Sequence, residues 1–133
     1  MNTPTDSVRI VLFNKAEPAR FLVLAETDDR TNHKLPGGKF DTVDETPDAA
    51  AARELQEELG LSAGAVGLAQ AAQLVNDDGV SARYIYRGAV DPSAVRPSPE
   101  IAEINWYTEQ DLPEGKNQGH MLSAVAAARA DTK

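Results

Sequence analysis

Gly37-Gly38-Lys39-Phe40-Asp41-Thr42-Val43-Asp44-Glu45 and, after seven intervening residues, Arg53-Glu54-Leu55-Gln56-Glu57-Glu58-Leu59-Gly60 form the stretch on which the reading of this chain turns. It sets a glycine turn, a polar gap, and then three carboxylates within two turns of one helix. The helix is predicted over residues 47–59. Thr46 can cap it, Pro47 suits its first position, and Asp48 faces the positive end of the helix dipole. Ala49 to Ala52 propagate it, and Gly60 stands where a left-handed residue closes a helix. At ~100° per residue, Glu54, Glu57 and Glu58 fall within an arc of roughly 100°. Leu55 and Leu59 lie beside that arc and Ala52 beyond them. One face is therefore acidic, and the adjoining face enters a core.

Like charges at this spacing repel by a few tenths of a kcal/mol per pair on an exposed helix, and by more where water is excluded. Arg53 relieves part of that cost, and a hard cation would relieve more. Oxygen donors without His or Cys point to magnesium, or manganese, rather than zinc. A solvated acidic face is the plain alternative, and the helix alone does not decide between them.

Outward from the helix, residues 8–13 and 20–25 read as strands joined by a turn at 15–18. Residues 28–34 read as loop, and Leu35-Pro36-Gly37-Gly38 as a breaker of regular structure. Residues 66–75 and 80–90 read as paired strands around the turn Asn76-Asp77-Asp78-Gly79. Residues 101–108 form another strand, and residues 120–130 a closing helix. The order predicts an α+β fold, a mixed sheet with helices packed against it.

At 133 residues the chain fits a single domain, 1–133, with residues 1–6 loosely held. No apolar run approaches the ~20 residues that span a bilayer, no secretory signal stands at the N-terminus, and cysteine is absent. These features lead us to expect a cytoplasmic protein without a membrane partner. The net charge of -8 argues against a duplex nucleic-acid surface. It leaves room for a small phosphorylated substrate whose charge a metal neutralises.

Gly38, Glu45 and Arg53-Glu54-Leu55-Gln56-Glu57-Glu58-Leu59-Gly60-Leu61 resemble the Nudix box, G-x5-E-x7-R-E-U-x-E-E-x-G-U with U aliphatic. The match is complete from Glu45 to Leu61, and Leu35-Pro36-Gly37-Gly38-Lys39 is similar to MutT-like members. Six residues separate Gly38 from Glu45 where the family has five. Either the loop holds one inserted residue or Lys39 takes the glycine position; we favour the insertion, because loops absorb insertions at little cost. The resemblance implies a Nudix-type α/β/α sandwich around a central mixed sheet.

It also implies a hydrolase that cuts the diphosphate linkage of a small nucleotide. The substrate would be a nucleoside triphosphate, ordinary or oxidised, or a nucleotide sugar such as ADP-ribose. A non-catalytic nucleotide-sensing module is the alternative. Carried over by position, Glu54, Glu57 and Glu58 would hold Mg2+ (or Mn2+) with the Gly38 carbonyl. Arg53 would orient them, and Glu45 would anchor the loop or bind metal through water. Pro99-Glu100-Ile101-Ala102-Glu103-Ile104-Asn105-Trp106 resembles a late stretch of the family. There Glu100, ahead of Glu103, is the candidate general base or extra ligand, and Trp106 is read as core.

Around this site, Lys39 and Arg83 are candidates for phosphate, with a solvated surface as the alternative for both. Period-2 alternation puts Arg83 and Arg87 on one strand face, and Tyr84 and Tyr86 on the other, toward the core. Asn117 stands roughly where MutT-like enzymes carry a purine-reading asparagine. His120 is read as a helix-start residue. His33 replaces an aromatic residue found in many MutT-like members. A monomer or homodimer is expected.

Overall fold

The structure, a computed structural model, describes residues 6–76 and 78–131. Seven strands and three helices follow one another as β1 (Ser7–Asn14), β2 (Phe21–Glu26), β3 (Asp29–Lys34), β4 (Gly37–Lys39), α1 (Pro47–Leu59), α2 (Ala63–Val66), β5 (Ala69–Val75), β6 (Ala82–Val90), β7 (Ile101–Tyr107) and α3 (Gln118–Ala130). Strand β1 organises the sheet because both of its faces are apolar. Val8, Ile10 and Leu12 point into one core with Leu55 and Leu59 of α1; Val11 and Phe13 point into a second core with Met121, Ala124 and Val125 of α3. Alternation along a single strand therefore builds both layers, and the sheet is covered by a helix on each side.

The sheet order is β3-β2-β1-β6-β5, with β4 on β1 and β7 on β2. Strand β1 runs parallel to β6 over its whole length, from Ser7 opposite Arg83 to Asn14 opposite Val90. It meets β2 at a single pair, Phe13 opposite Phe21, while its first residues pair with β4, Val8 lying opposite Gly38. The sheet thus splays between β1 and β2, and the glycine turn fills the gap. Asn14 folds the β1–β2 turn by accepting from the N–H groups of Ala16 and Glu17.

Several expectations need correction. Residues 29–34 form a strand rather than a loop: they lie at the sheet edge and pair only with β2, so backbone bonding holds them without apolar side chains. Residues 37–39 are a strand despite two glycines, because β1 offers them an antiparallel partner. Val66 belongs to α2, capped by Ser62 and Gly67, and β5 starts only at Ala69. Val80 is exposed and belongs to the turn. Asp77 of that turn, and residues 1–5 of the expected loose N-terminus, lie outside the described residues. Asp6 is not loose: its buried carboxylate accepts the Ala82 N–H at 2.7 Å. On α1, Ala50 and Ala51 enter the core rather than Ala52.

Helix α1 has the predicted bounds. Thr46 Oγ1 accepts the Ala49 N–H, and Gly60 closes the helix at φ 66, a left-handed position suited to glycine. The Tyr86 hydroxyl on β6 donates to Asp48 in the first turn, fixing the helix to the sheet.

Candidate active site

The glycine turn and α1 meet through Glu58 and Glu54. Glu58 Oε1 accepts the Gly37 N–H at 2.8 Å. Gly37 has φ 141, and a Cβ there would lie 2.1 Å from the Val8 carbonyl oxygen, so only glycine fits. At Gly38 a Cβ would meet Glu54 Oε1 at 2.8 Å. The need for a bare backbone thus falls on Gly38, whereas the Lys39 side chain points outward and is exposed. The extra residue is accommodated in the exposed bend at 41–44, which supports the insertion.

Arg53 binds that bend to the helix. Its guanidinium donates to both Glu45 carboxylate oxygens, at 2.8 and 3.0 Å, to Glu54 at 2.9 Å, to Glu57 at 3.2 Å and to the Lys39 carbonyl at 3.2 Å. Asp41 adds a fourth carboxylate at 3.1 Å and donates its N–H to Glu45. Glu45 is only 12% exposed, and the Arg53 hydrogen bonds hold its carboxyl below the usual range. Glu45 thus joins the 41–45 bend to Arg53 on α1. The hydrogen bonds of Glu45 raise the Arg53 guanidinium further above its already high value.

Glu54 and Glu58 shift the other way from Glu45, both upward. Burial raises the Glu54 carboxyl, and the Glu57 charge adds to the rise against the pull of Arg53. Burial pushes the Glu58 carboxyl up to about 7; the Glu54 charge adds to that, and the Gly37 N–H opposes it. Two desolvated carboxylates side by side favour a proton or a cation between them. Glu57, at 54% exposure, stands at the rim. Among the described residues, no three His, Cys, Asp or Glu side chains converge as a ready cation cage. Arg53 draws Glu54 and Glu57 toward itself, and Gly37 holds Glu58.

Glu100 and Glu103 are exposed at the head of β7, and neither is hydrogen-bonded or ion-paired to the box. The loop before them is nevertheless pinned to the last turn of α1: the Arg96 N–H donates to the Leu59 carbonyl and the Ser98 N–H to the Glu58 carbonyl, each at 2.9 Å. Trp106 packs partly buried against the α1-side core, with Tyr84 and the buried Tyr86. Arg87 pairs with Asp131.

On the α3 side a cavity of about 140 Å³ is lined by Arg9, Lys34, Arg83, Asn117 and His120 among others. Asn117 is held there by its amide nitrogen, which donates to Asn32 Oδ1 at 2.6 Å and to the His33 carbonyl at 2.9 Å. His33 meets Tyr107 edge to face. His120 opens the first turn of α3 but also contacts Arg83. Arg9 and Lys34 were not among the sequence-derived candidates. A charged residue in the otherwise apolar run Val8 to Phe13 was the available signal for Arg9. Lys34, ion-paired with Glu26, looked like a loop lysine.

A glycine-bearing turn clasped to an Arg-Glu-x-x-Glu-Glu helix, on a mixed sheet covered from both sides, defines the class. The NUDIX domain model matches residues 3–126, and the chain belongs to the NUDIX family. No curated protein matches it. Among solved structures it is similar to the MutT protein from Methanosarcina mazei Go1 (24% identity, TM-score 0.68, covering 96% of this chain and 94% of that one). It is similar to the C. elegans Ap4A hydrolase (20%, 0.69, 94% and 96%) and to the NUDIX domain of Shewanella oneidensis NrtR complexed with ADP ribose (17%, 0.67, 95% and 88%). At these identities the likeness is one of fold. No helix among the described residues is long and apolar enough to cross a membrane.

Proposed function

We propose that this chain hydrolyses the diphosphate linkage of a small nucleotide with a divalent metal, magnesium or manganese, held by Glu54, Glu57 and Glu58 together with the Gly38 carbonyl. The observation that carries the reading is the desolvated Glu54–Glu58 pair against the Gly37-Gly38 turn. The donors fit a hard cation: they are all oxygen, two of them are poorly hydrated, and each raises the cost of the other's charge.

The bound cation would neutralise the diphosphate and acidify an attacking water. The protein's own part is positioning. Arg53 holds Glu54 and Glu57 in reach of the turn and ties the 41–45 bend down through Glu45. Gly37 and Gly38 keep the backbone close enough for Glu58 and Glu54 to share one small space. Arg9 and Lys39 add positive charge around a polyanionic substrate. Glu100, exposed on a loop pinned to the end of α1, is the proposed acceptor for the proton of the attacking water, with Glu103 behind it. Water adds to one phosphorus, the bridging P–O bond breaks, and the second phosphate group leaves with the electron pair. Most of the catalysis is then geometry and electrostatics, as in other phosphoryl transfers.

The test is a panel of nucleoside triphosphates, dinucleoside polyphosphates and nucleotide sugars, incubated with and without magnesium from mildly acidic to alkaline pH, with released phosphate products quantified. Magnesium-dependent turnover of at least one member is expected. Tight nucleotide binding without turnover at any pH would instead favour a sensing module.

A further inference from the structure

The sheet order ends in β3 on one side and β5 on the other, and the two edges differ in chemistry. Three of the six residues of β3, Asp29, Arg30 and Lys34, are charged. Charge on an edge strand keeps other chains from adding to it. Strand β5 pairs only with β6 among the described residues. Its seven residues, Ala69-Gln70-Ala71-Ala72-Gln73-Leu74-Val75, include no Asp, Glu, Lys, Arg or Pro. The whole chain holds 21 acidic residues and a net charge of -8, so this edge is a neutral strip on an acidic protein.

The exposed side chains of β5 follow the same pattern. A bulge between Gln70 and Ala72 interrupts the ladder, and beyond it Ala72 to Val75 pair regularly with Ile85 to Ala82. Gln70 and Gln73, paired with Tyr86 and Tyr84, are both exposed. Val75 at the end of the strand is 66% exposed, and Val80 across the turn 77%. Among the described residues the other exposed large apolar side chain is Val43, so two of the three belong to this hairpin.

Symmetry decides what such an edge accepts. Two β5 strands paired antiparallel about a two-fold axis set the Val75 end of each beside the Ala69 end of the other. A strand with charges of one sign would then meet its own sign. Alanine and valine carry no charge, and a glutamine amide both donates and accepts, so these side chains tolerate their own copies. The backbone groups of β5 that point away from β6 would gain partners, and each exposed valine would be covered by the alanines opposite.

We propose that the β5 edge is a self-association surface, on which a second copy of this chain adds its own β5 antiparallel and continues the sheet across a two-fold axis. The regular part of the strand is short, so the homodimer is a reversible one. The two copies repel through their net charge, while β5 brings no ion pair to the contact. Association therefore strengthens as salt screens that repulsion. The surface is independent of the hydrolase reading above.

Sedimentation equilibrium of the full chain, from low to high micromolar concentration and at low and high salt, tests it. The expected mass moves from the 14.2 kDa of one chain toward twice that value, more readily at high salt. Amide hydrogen exchange along residues 72–75 should slow as the dimer forms. Q73K/V75K alters two exposed side chains and should keep the fold. It should weaken the dimer ~10-fold or more although it lowers the net negative charge, because the lysines of the two copies then meet. Q110K, exposed in the loop after β7, should not weaken it. Should the double variant melt early, V75K alone serves, at a side chain already turned to solvent. A monomer under every condition would leave the edge to a different chain and overturn the proposal. So would a dimer that weakens with salt, a mass beyond two chains, or a dimer indifferent to the edge lysines in folded variants.

Discussion

Helices α1 and α3 have the same length, 13 residues, and cover opposite faces of one sheet, yet they solve different problems. Helix α1 is locally complete. It is capped by Thr46, started by Pro47, closed by Gly60, and held down by Ala50, Ala51, Leu55 and Leu59. With its ends satisfied, the face beside its core contacts can carry Glu54, Glu57 and Glu58, whose repulsion works against the fold. Helix α3 lacks a side-chain cap, and a tertiary strap from Asn117 to Asn32 and His33 secures its start. Its open N-terminus borders a basic cavity. One helix therefore brings negative charge to the site by its sequence, and the other brings positive charge by where it is docked.

The contrast can be broken most severely at the acidic helix. Replacing Glu57 by Gln should lower the hydrolysis rate ~10³-fold or more, as for other lost electrostatic contacts to a transition state. The urea midpoint should hardly move, since Glu57 is at the rim. Steady-state kinetics with a chemical denaturation curve checks both, and a variant with normal turnover would show that the metal site is misassigned.

A second break falls on the turn that α1 clasps. Gly37→Ala puts a methyl group against the Val8 carbonyl in a left-handed conformation, with an expected loss of about 3 kcal/mol or more of folding stability. Gly38→Ala meets only the Glu54 side chain, so it should leave the fold largely intact and impair activity instead. Comparing the two melting curves sharpens the division between a glycine the backbone needs and one the site needs.

The pH dependence of stability tests the desolvated pair. Glu58 has a folded pKa of about 7 against an ordinary 4.5, so the native state keeps a proton that the unfolded chain has released. Metal-free stability should therefore be highest below about 4.5 as far as this group is concerned, and should fall as pH rises toward about 7. Glu54 acts in the same direction. Magnesium at a hundred times its Kd should restore ~2.7 kcal/mol above that range. Thermal melts in EDTA and in magnesium, for the wild type and for E58Q, would show it; an equally steep profile in E58Q would assign the loss to other groups. The smallest effect is at the cap, where Thr46→Ala should cost about 1 kcal/mol, readable as a shift in urea midpoint without a change in preference among substrates.

Much of the acidic half of the site was legible because its signals are local. A cap, an N1 proline, a helical period and a closing glycine fix α1 within one continuous segment, and the spacing of Glu54, Glu57 and Glu58 follows from it. The edge strand at 29–34 was not legible, since its side chains are polar and only pairing with β2 makes it a strand. Residues 37–39 were hidden in the same way by their glycines. Arg9 and Arg83 lie 74 positions apart in the chain, and nothing in either segment says that their strands are parallel neighbours. Asn117 could be seen as a polar residue near a helix start, but not as a strap to β3.

The sequence by itself determined the carboxylate helix, its ends, the glycine turn and the family, because hydrogen bonding and side-chain spacing within a helix act over a few residues. The tertiary structure alone decided that Glu54 and Glu58 lose their water beside Gly37 and Gly38, and that two distant arginines share one cavity with the head of α3. Burial and long-range Coulomb energy depend on what packs alongside, and that is set only once the sheet has assembled.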